Sequence, residues 1–279
     1  MRAGLVAVSL AAFAVAGCDA GTEPPARLPS GDHVHSLAVT AEEDLLLGLH
    51  GGLYRSSDGK VWNAVGLQRE DAMVIAAAVG QPMFVAGHEV LYRSGDGGET
   101  FTPLRPADLP GLDLHAFAQV PTDGGSVYAY AVGHGLFWSG DAGNTWEERA
   151  GMGQLPRDLF GLAVPGASPD SLVAVGPESG ILRSADGGRT WAQAAEISAW
   201  AVTVEVNNPR VVWALTGAGL MRSPDRGETW ETVSELAGVE GQPVALAVES
   251  DVLWVVTEEP RILYRSSDGG KVWDRVAGS

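Results

Sequence analysis

Among 279 residues there is one cysteine, Cys18, so no disulfide can form within the chain. Lysine is almost as scarce. Lys60 and Lys271 stand against 16 arginines, and the formal net charge is −17. No basic stripe interrupts that acidity, which argues against nucleic acid as a partner, because phosphate contacts need clustered Lys and Arg. The excess of one sign serves solubility instead. Helical spacing of apolar residues is absent beyond the N-terminal segment. The long apolar run there, Leu5 to Ala16, is too short to span a bilayer as a helix.

Glycine and tryptophan are abundant, at 37 and nine residues, and 45% of the chain is hydrophobic. Many short strands joined by tight turns over a real core would use all three. One polar string recurs six times: "SSDGKVW", "SGDGGETF", "SGDAGNTW", "SADGGRTW", "SPDRGETW" and "SSDGGKVW". Its aspartates are Asp58, Asp96, Asp141, Asp186, Asp225 and Asp268, at intervals of 38, 45, 45, 39 and 43 residues. A period of that length signals a repeat architecture, and four-stranded propeller blades have about this period. Each period holds two apolar runs, a short strand such as "LYRS" ending in the string, and a last short run after the aromatic residue. The expected fold is all-β, a six-bladed propeller of four-stranded antiparallel blades over residues 33–279. Its first innermost strand starts at His33 and its last outer strand covers Val272 to Val276. Such a ring closes without exchanging a strand between its ends.

The string sits where the third and fourth strands of a blade turn. Glycine supplies positive φ there, and a buried aspartate accepts turn N–H groups. It resembles the Asp-box, or BNR repeat, of sialidase-like β-propellers, S-x-D-x-G-x-T-W. The resemblance implies a structural role on the outer rim, away from any ligand site. The first copy is one residue short, because Gly59 is followed directly by Lys60, which predicts an altered turn.

The N-terminus opens "MRAGLVAVSLAAFAVAGCDA". Arg2, the apolar run and small residues before a cysteine fit a secretory signal. Val15-Ala16-Gly17-Cys18 resembles the bacterial lipobox, which implies removal of residues 1–17 and lipidation of Cys18. Residues 18–32, rich in Pro and small residues, then read as a flexible tether. The implied location is the outer face of the cytoplasmic membrane or the periplasmic side of the envelope, as a monomer.

All six histidines map by repeat register to the propeller face opposite the strings, here called the top. His33 and His35 enter the innermost strand of the first blade, and His115 holds the equivalent place in the third. His50, His88 and His134 fall between second and third strands, and Glu178 takes that place in the fourth blade. Spacing of i and i+2 predicts that His33 and His35 share one side of an extended chain. Two chemistries fit such a mouth. One is a metal site for Zn, Cu or Ni. The other is a polar or glycan ligand held by hydrogen bonds.

"HVHSLAV", "GLHGGLYRS" and "AGH" resemble a family of bacterial lipoproteins catalogued as glycosylhydrolases or exo-α-sialidases. The resemblance implies hydrolysis at the same mouth, by three arginines on a substrate carboxylate, a Tyr activated by Glu, and an acid Asp. Arg55, Arg93, Arg183, Arg222 and Arg265 recur at one strand position and read as scaffold. Arg69, Arg157 and Arg261 fall near top loops, with no Tyr–Glu pair recognisable beside them. Glu70, Asp71, Asp113, Asp158, Glu178, Glu258 and Glu259 are carboxylates within reach of the mouth; a glycosidase uses two. Asp-boxes also occur in non-enzymes, so a docking scaffold for an envelope protein is the third expectation.

Overall fold

The computed structural model describes residues 26–31, 33–78, 80–156, 158–205 and 207–278. The expected signal segment, Cys18 and the tether up to residue 25 lie outside the described residues, as does Arg157.

Among the described residues, 24 strands form six antiparallel sheets of four, each contiguous in sequence. The first blade holds β1 (Val34–Val39), β2 (Leu45–Leu49), β3 (Gly52–Ser56) and β4 (Asn63–Ala64). The second holds β5 (Val74–Ala76), β6 (Met83–Gly87), β7 (Val90–Ser94) and β8 (Thr102–Pro103). The third holds β9 (Leu114–Val120), β10 (Asp123–Ala131), β11 (Gly135–Ser139) and β12 (Glu147–Gly151). The fourth holds β13 (Gly161–Ala163), β14 (Leu172–Gly176), β15 (Gly180–Ser184) and β16 (Ala192–Ala195). The fifth holds β17 (Ala199–Glu205), β18 (Asn208–Thr216), β19 (Gly219–Ser223) and β20 (Glu231–Ser234). The sixth holds β21 (Gln242–Glu249), β22 (Val252–Glu258), β23 (Ile262–Ser266) and β24 (Asp274–Gly278). The last strand thus lies two residues beyond its expected range, and Val272 is exposed. Innermost strands meet in cyclic order, including β21 against β1, which makes the expected six-bladed propeller.

The second strand of each blade is buried on both faces, so it reads as an unbroken apolar run: Leu45, Leu46 and Leu47, or Val173, Ala174 and Val175. Fourth strands are exposed edges and carry charge, as at Glu147, Glu231 and Asp274. Charge and the proline at Pro103 discourage pairing with another chain.

The six hairpin strings share one hydrogen-bond cage. In the fourth blade Asp186 Oδ1 accepts from Ser184 Oγ at 2.8 Å and from the N–H groups of Arg189 and Thr190, while Oδ2 accepts from Thr190 Oγ1 at 2.6 Å. The buried member is the serine, not the aspartate as expected. Ser184 is 1% exposed and accepts from Gly188 N–H, while all six aspartates are exposed or half-buried. The physical reason is direction: the turn N–H groups point off the rim, and only the hydroxyl sits beneath it. The short first copy keeps the cage with Gly59 N–H donating to Ser56 Oγ, one position earlier than in the others.

Each hairpin also packs on the preceding blade. A Cβ on Gly188 (φ +85°) would stand 2.3 Å from Leu136 Cδ2, and one on Gly59 would stand 2.9 Å from Leu263 Cδ2 of the last blade. The first hairpin therefore closes the ring by the contact used all round it. The third-strand arginines bind the same hairpins. Arg55 donates to Glu99 at 2.7 Å, Arg93 to Ala142 O at 3.0 Å and Arg183 to Glu228 at 3.0 Å, each in the next blade. Arg222 and Arg265 lie over Trp213 and Trp254.

Residues 26–31, expected as tether, are packed instead. Leu28 is buried with Val34, Leu49 and Val256, Gly278 N–H donates to Ala26 O, and Arg261 donates to Pro29 O. This segment covers the seam between first and last blades. Among the described residues no helix is long and apolar enough to cross a membrane.

Candidate metal centre

Four of the six histidines converge. His35, His50, His88 and His115 form an arc across the first three blades, with successive ring centroids 5.9, 6.4 and 5.0 Å apart. Two carboxylates lie between them. Asp71 is 7% exposed; its Oδ1 is 3.3 Å from His35 Nε2, and its Oδ2 is 3.4 Å from His50 Nδ1 and in a short contact with His88 Nδ1. Asp113 Oδ1 is 3.2 Å from His115 Nε2 and 3.5 Å from His88 Nε2.

Backbone geometry explains the convergence. Asp71 and Ala72 cross from the first blade to the second directly over strand ends. Ala72 N–H donates to Leu49 O, and Ser36 Oγ donates to Ala72 O. A Cβ on Gly87 would stand 2.0 Å from Asp71 O, so only glycine lets the crossing lie this close. Asp113 is held by an antiparallel bridge to His88 and by Val132 N–H. His50 and His88 occupy the turns after β2 and β6.

His33 and His134 stand apart. The β1–β2 register slips between Val34 and Ser36, so His35 is the extra residue of a bulge. The bulge breaks the i, i+2 relation, contrary to expectation: His35 meets Asp71, while exposed His33 lies 3.3 Å from Glu258 of the last blade. His134 is exposed beside Gly111. Glu178 is exposed too, and its N–H, with Ser179 N–H and Oγ, caps Asp158 instead. Burial alone would raise the Asp158 pKa, but those donors hold it below its ordinary value.

Two groups of three side chains can each present ligand atoms within 4.8 Å of one another: His35, His50, Asp71, and His88, Asp113, His115. In the second, the three atoms are 3.1, 3.2 and 3.5 Å apart. Ligands at ~2.0–2.1 Å from a tetrahedral Zn are spaced about 3.3 Å apart, so the triangle has the right size. A carboxylate only accepts, so His88 Nδ1 carries the proton given to Asp71 and Nε2 keeps its lone pair toward Asp113 and His115. That is the carboxylate–histidine arrangement that orients a metal ligand. Asp113 Oδ1, Asp71 Oδ1 and His35 Nε2 are buried without a hydrogen-bond partner, a state native proteins rarely tolerate. Burial lowers the His35 pKa below 6.5, against the opposing pull of Asp71 and helped by His50, His33 and His88. The shift favours the neutral imidazole, the form that offers a lone pair.

Asp71 and Asp113 were expected among possible acids of a glycosidase; the structure spends both on histidines. The other carboxylates are also placed. Glu258 accepts from Val34 N–H, His33 and Arg261, and Glu259 is exposed. Burial favours a raised Glu258 pKa, but those donors outweigh it and the value is lowered. A Tyr–Glu pair that the sequence did not reveal exists: Tyr92 OH donates to Glu70 at 3.2 Å. It sits on the third strand β7, and burial, then Glu70, raise the phenol pKa, the wrong direction for a nucleophile. Arg69 is exposed and Arg261 binds Glu258 and Pro29 O, so no arginine cluster faces the mouth among the described residues.

The channel through the ring has two parts. A cavity of about 120 Å³ lies at the top ends of the innermost strands, lined by His35, Met73, Phe160, Trp200 and Val244. A larger one of about 470 Å³ lies below, lined by Ala38, Ala76, Ala118 and Ala247 among others.

The family described as "DUF6242 beta propeller domain" matches residues 16–200, more than half of the chain. No curated protein sequence matches. Among solved structures, the chain is similar to a GH74 xyloglucanase from Xanthomonas campestris, at 18% identity and TM-score 0.59 over 90% of this chain and 46% of that one. It is similar to a GH74 enzyme of Niastella koreensis at 15% identity and TM-score 0.63, over 90% and 46%. It also resembles YCF48 in a structure described as bound to D1 peptide, at 17% identity and TM-score 0.56, over 89% and 83%. The chain spans about half the length of the two GH74 enzymes it matches. These likenesses carry the propeller fold, and they are not specific to sialidases.

Proposed function

The chain belongs to the DUF6242 beta-propeller family, and for this member we propose binding of a divalent first-row metal ion, Zn, Cu or Ni, at the top mouth. The observation that carries the reading is the triangle of His88 Nε2, His115 Nε2 and Asp113 Oδ1, spaced 3.1 to 3.5 Å apart, with a buried oxygen of Asp113 that lacks any other partner. Imidazole with carboxylate suits these ions. Asp71 serves as the outer partner of His88, and His35 and His50 extend the same arc. The protein is read as exported and lipid-anchored through Cys18, on the outer face of the cytoplasmic membrane or the periplasmic side of the envelope. The support is the single cysteine, placed directly after Val15-Ala16-Gly17. Sialidase-like hydrolysis and protein docking have only likeness of motif and fold in their favour.

The test is elemental analysis of the untagged, detergent-solubilised chain after incubation with each ion. At least one equivalent of metal, lost in His115→Ala, is expected. A chain that retains none of the three ions overturns the reading.

A further inference from the structure

We infer that the top mouth recognises a small amphipathic Lewis base, with a compact oxygen-donor head such as carboxylate or hydroxamate on a single aromatic or branched apolar group. The inference rests on the metal reading and adds the role of the opposite half of the mouth.

One bulge recurs at the top of the innermost strands. The register slips at His35 in the first blade, at His115 in the third, at Trp200 in the fifth and at Val244 in the sixth. In the fourth, Phe160 N–H donates to Val175 O while Gly161 is already the partner of Val175, so two residues again face one. A bulge re-aims its extra side chain out of strand alternation. His35, Phe160, Trp200 and Val244, with Met73 of the second blade, line the small upper cavity.

The ring is divided by chemistry. The four converging histidines stand on the first three blades, and Phe160, Trp200 and Val244 on the fourth, fifth and sixth. Phe160 is 55% exposed, one of few large apolar side chains so placed. A lone exposed apolar residue is ordinary, but Phe160 lines a concavity together with Trp200 and Val244, where an apolar part of a ligand would be covered. Trp200 Nε1 donates to Pro243 O at 2.8 Å, which fixes the indole and satisfies its only donor, leaving an apolar ring at the mouth.

A ligand that is only polar leaves Phe160 wet, and one that is only apolar leaves the imidazole side unused. A ligand with both parts satisfies both. Size sets the rest: about 120 Å³ is of the order of the ~150 Å³ cavity that holds one benzene ring. Leu37, Val74, Phe117 and Leu162 line both this cavity and the larger one below, so an apolar group can extend downward.

The experiment compares benzohydroxamate with acetohydroxamate on the cobalt-loaded full chain, followed by the cobalt visible spectrum. Cobalt content is measured first. Benzohydroxamate is expected to bind at least about tenfold more tightly, the worth of burying one ring. Phe160→Ser and Trp200→Ala are expected to reduce that preference to about twofold with cobalt content unchanged. Equal affinity in the wild type, or a preference that survives both substitutions, overturns this inference alone. A chain that retains neither cobalt nor any of Zn, Cu and Ni overturns the metal reading and this one together, and is seen before any hydroxamate is added. Where cobalt alone is not retained, the same pair is compared on the nickel-loaded chain.

Discussion

Asp71 Oδ2 accepts the hydrogen bond of His88 Nδ1, while Oδ1 of the same buried carboxylate has no hydrogen-bond partner and lies 3.3 Å from His35 Nε2. One side chain thus orients His88 toward Asp113 and His115 and still offers Oδ1 toward His35, while His50 Nδ1 lies 3.4 Å from Oδ2. Asp71→Asn keeps the shape and loses the charge. Metal affinity is expected to fall 10–100-fold, as for other outer partners of histidine ligands. Competition titration against a chromogenic chelator measures it, and an unchanged affinity would show that Asp71 has no part in the site.

Stability of the metal-free protein should depend on His35. Burial holds its pKa below 6.5 in the folded chain. The unfolded chain therefore binds the extra proton first as pH drops, and stability is lost on acidification below 6.5 until the folded pKa is passed. Thermal midpoints at pH 7 and pH 5 are expected to differ less in His35→Gln than in wild type. An equal difference would remove His35 as the source.

The hairpin cages are structural. Ser184→Ala strands Gly188 N–H and takes away one of the three donors to Asp186 Oδ1, at an expected cost of about 1–3 kcal/mol. The melting temperature should drop by about 2–4 °C per kcal/mol, with metal content unchanged. Donors from Thr190 hold the Asp186 pKa down to about 2 despite some burial. This contribution is present above the ordinary carboxylate value and lost as pH falls toward 2. Loss of metal in Ser184→Ala would tie the rim to the mouth and contradict the separation argued here.

Gly87→Ala places a Cβ 2.0 Å from Asp71 O, whereas Gly51→Ala, beside His50, meets nothing within 4 Å. Gly87→Ala is expected to displace Asp71 and weaken metal binding at least tenfold; Gly51→Ala should be near neutral. Equal affinities in the two variants, by the same chelator titration, would sink the claim that the crossing at Gly87 positions the carboxylate.

Leu28 seals the junction of first and last blades. Leu28→Ala is expected to cost about 2 kcal/mol, read by denaturant unfolding. A change below 0.5 kcal/mol, about the scatter of neutral surface substitutions, would show that residues 26–31 do not help close the ring.

Six blades, four strands in each, and the rim position of the six hairpin strings were legible in the residues. Turn chemistry is local, and it is written again each time the chain turns. Gathering histidines toward one mouth was legible for His35, His50, His88 and His115, because repeat register carries over to face. Which way each imidazole points was not. A one-residue bulge separates His33 from His35, and bulges arise from packing rather than from any local signal. The pairing of Asp71 with three histidines, Asp113 with two and Glu70 with Tyr92 joins residues 17 to 36 positions apart, or neighbours turned toward one another, across blades and linkers. Sequence alone determined the ring, since its instructions are short-range and repeated. Tertiary structure decided the site, since its ligand atoms come from three blades whose relative placement depends on how the ring closes.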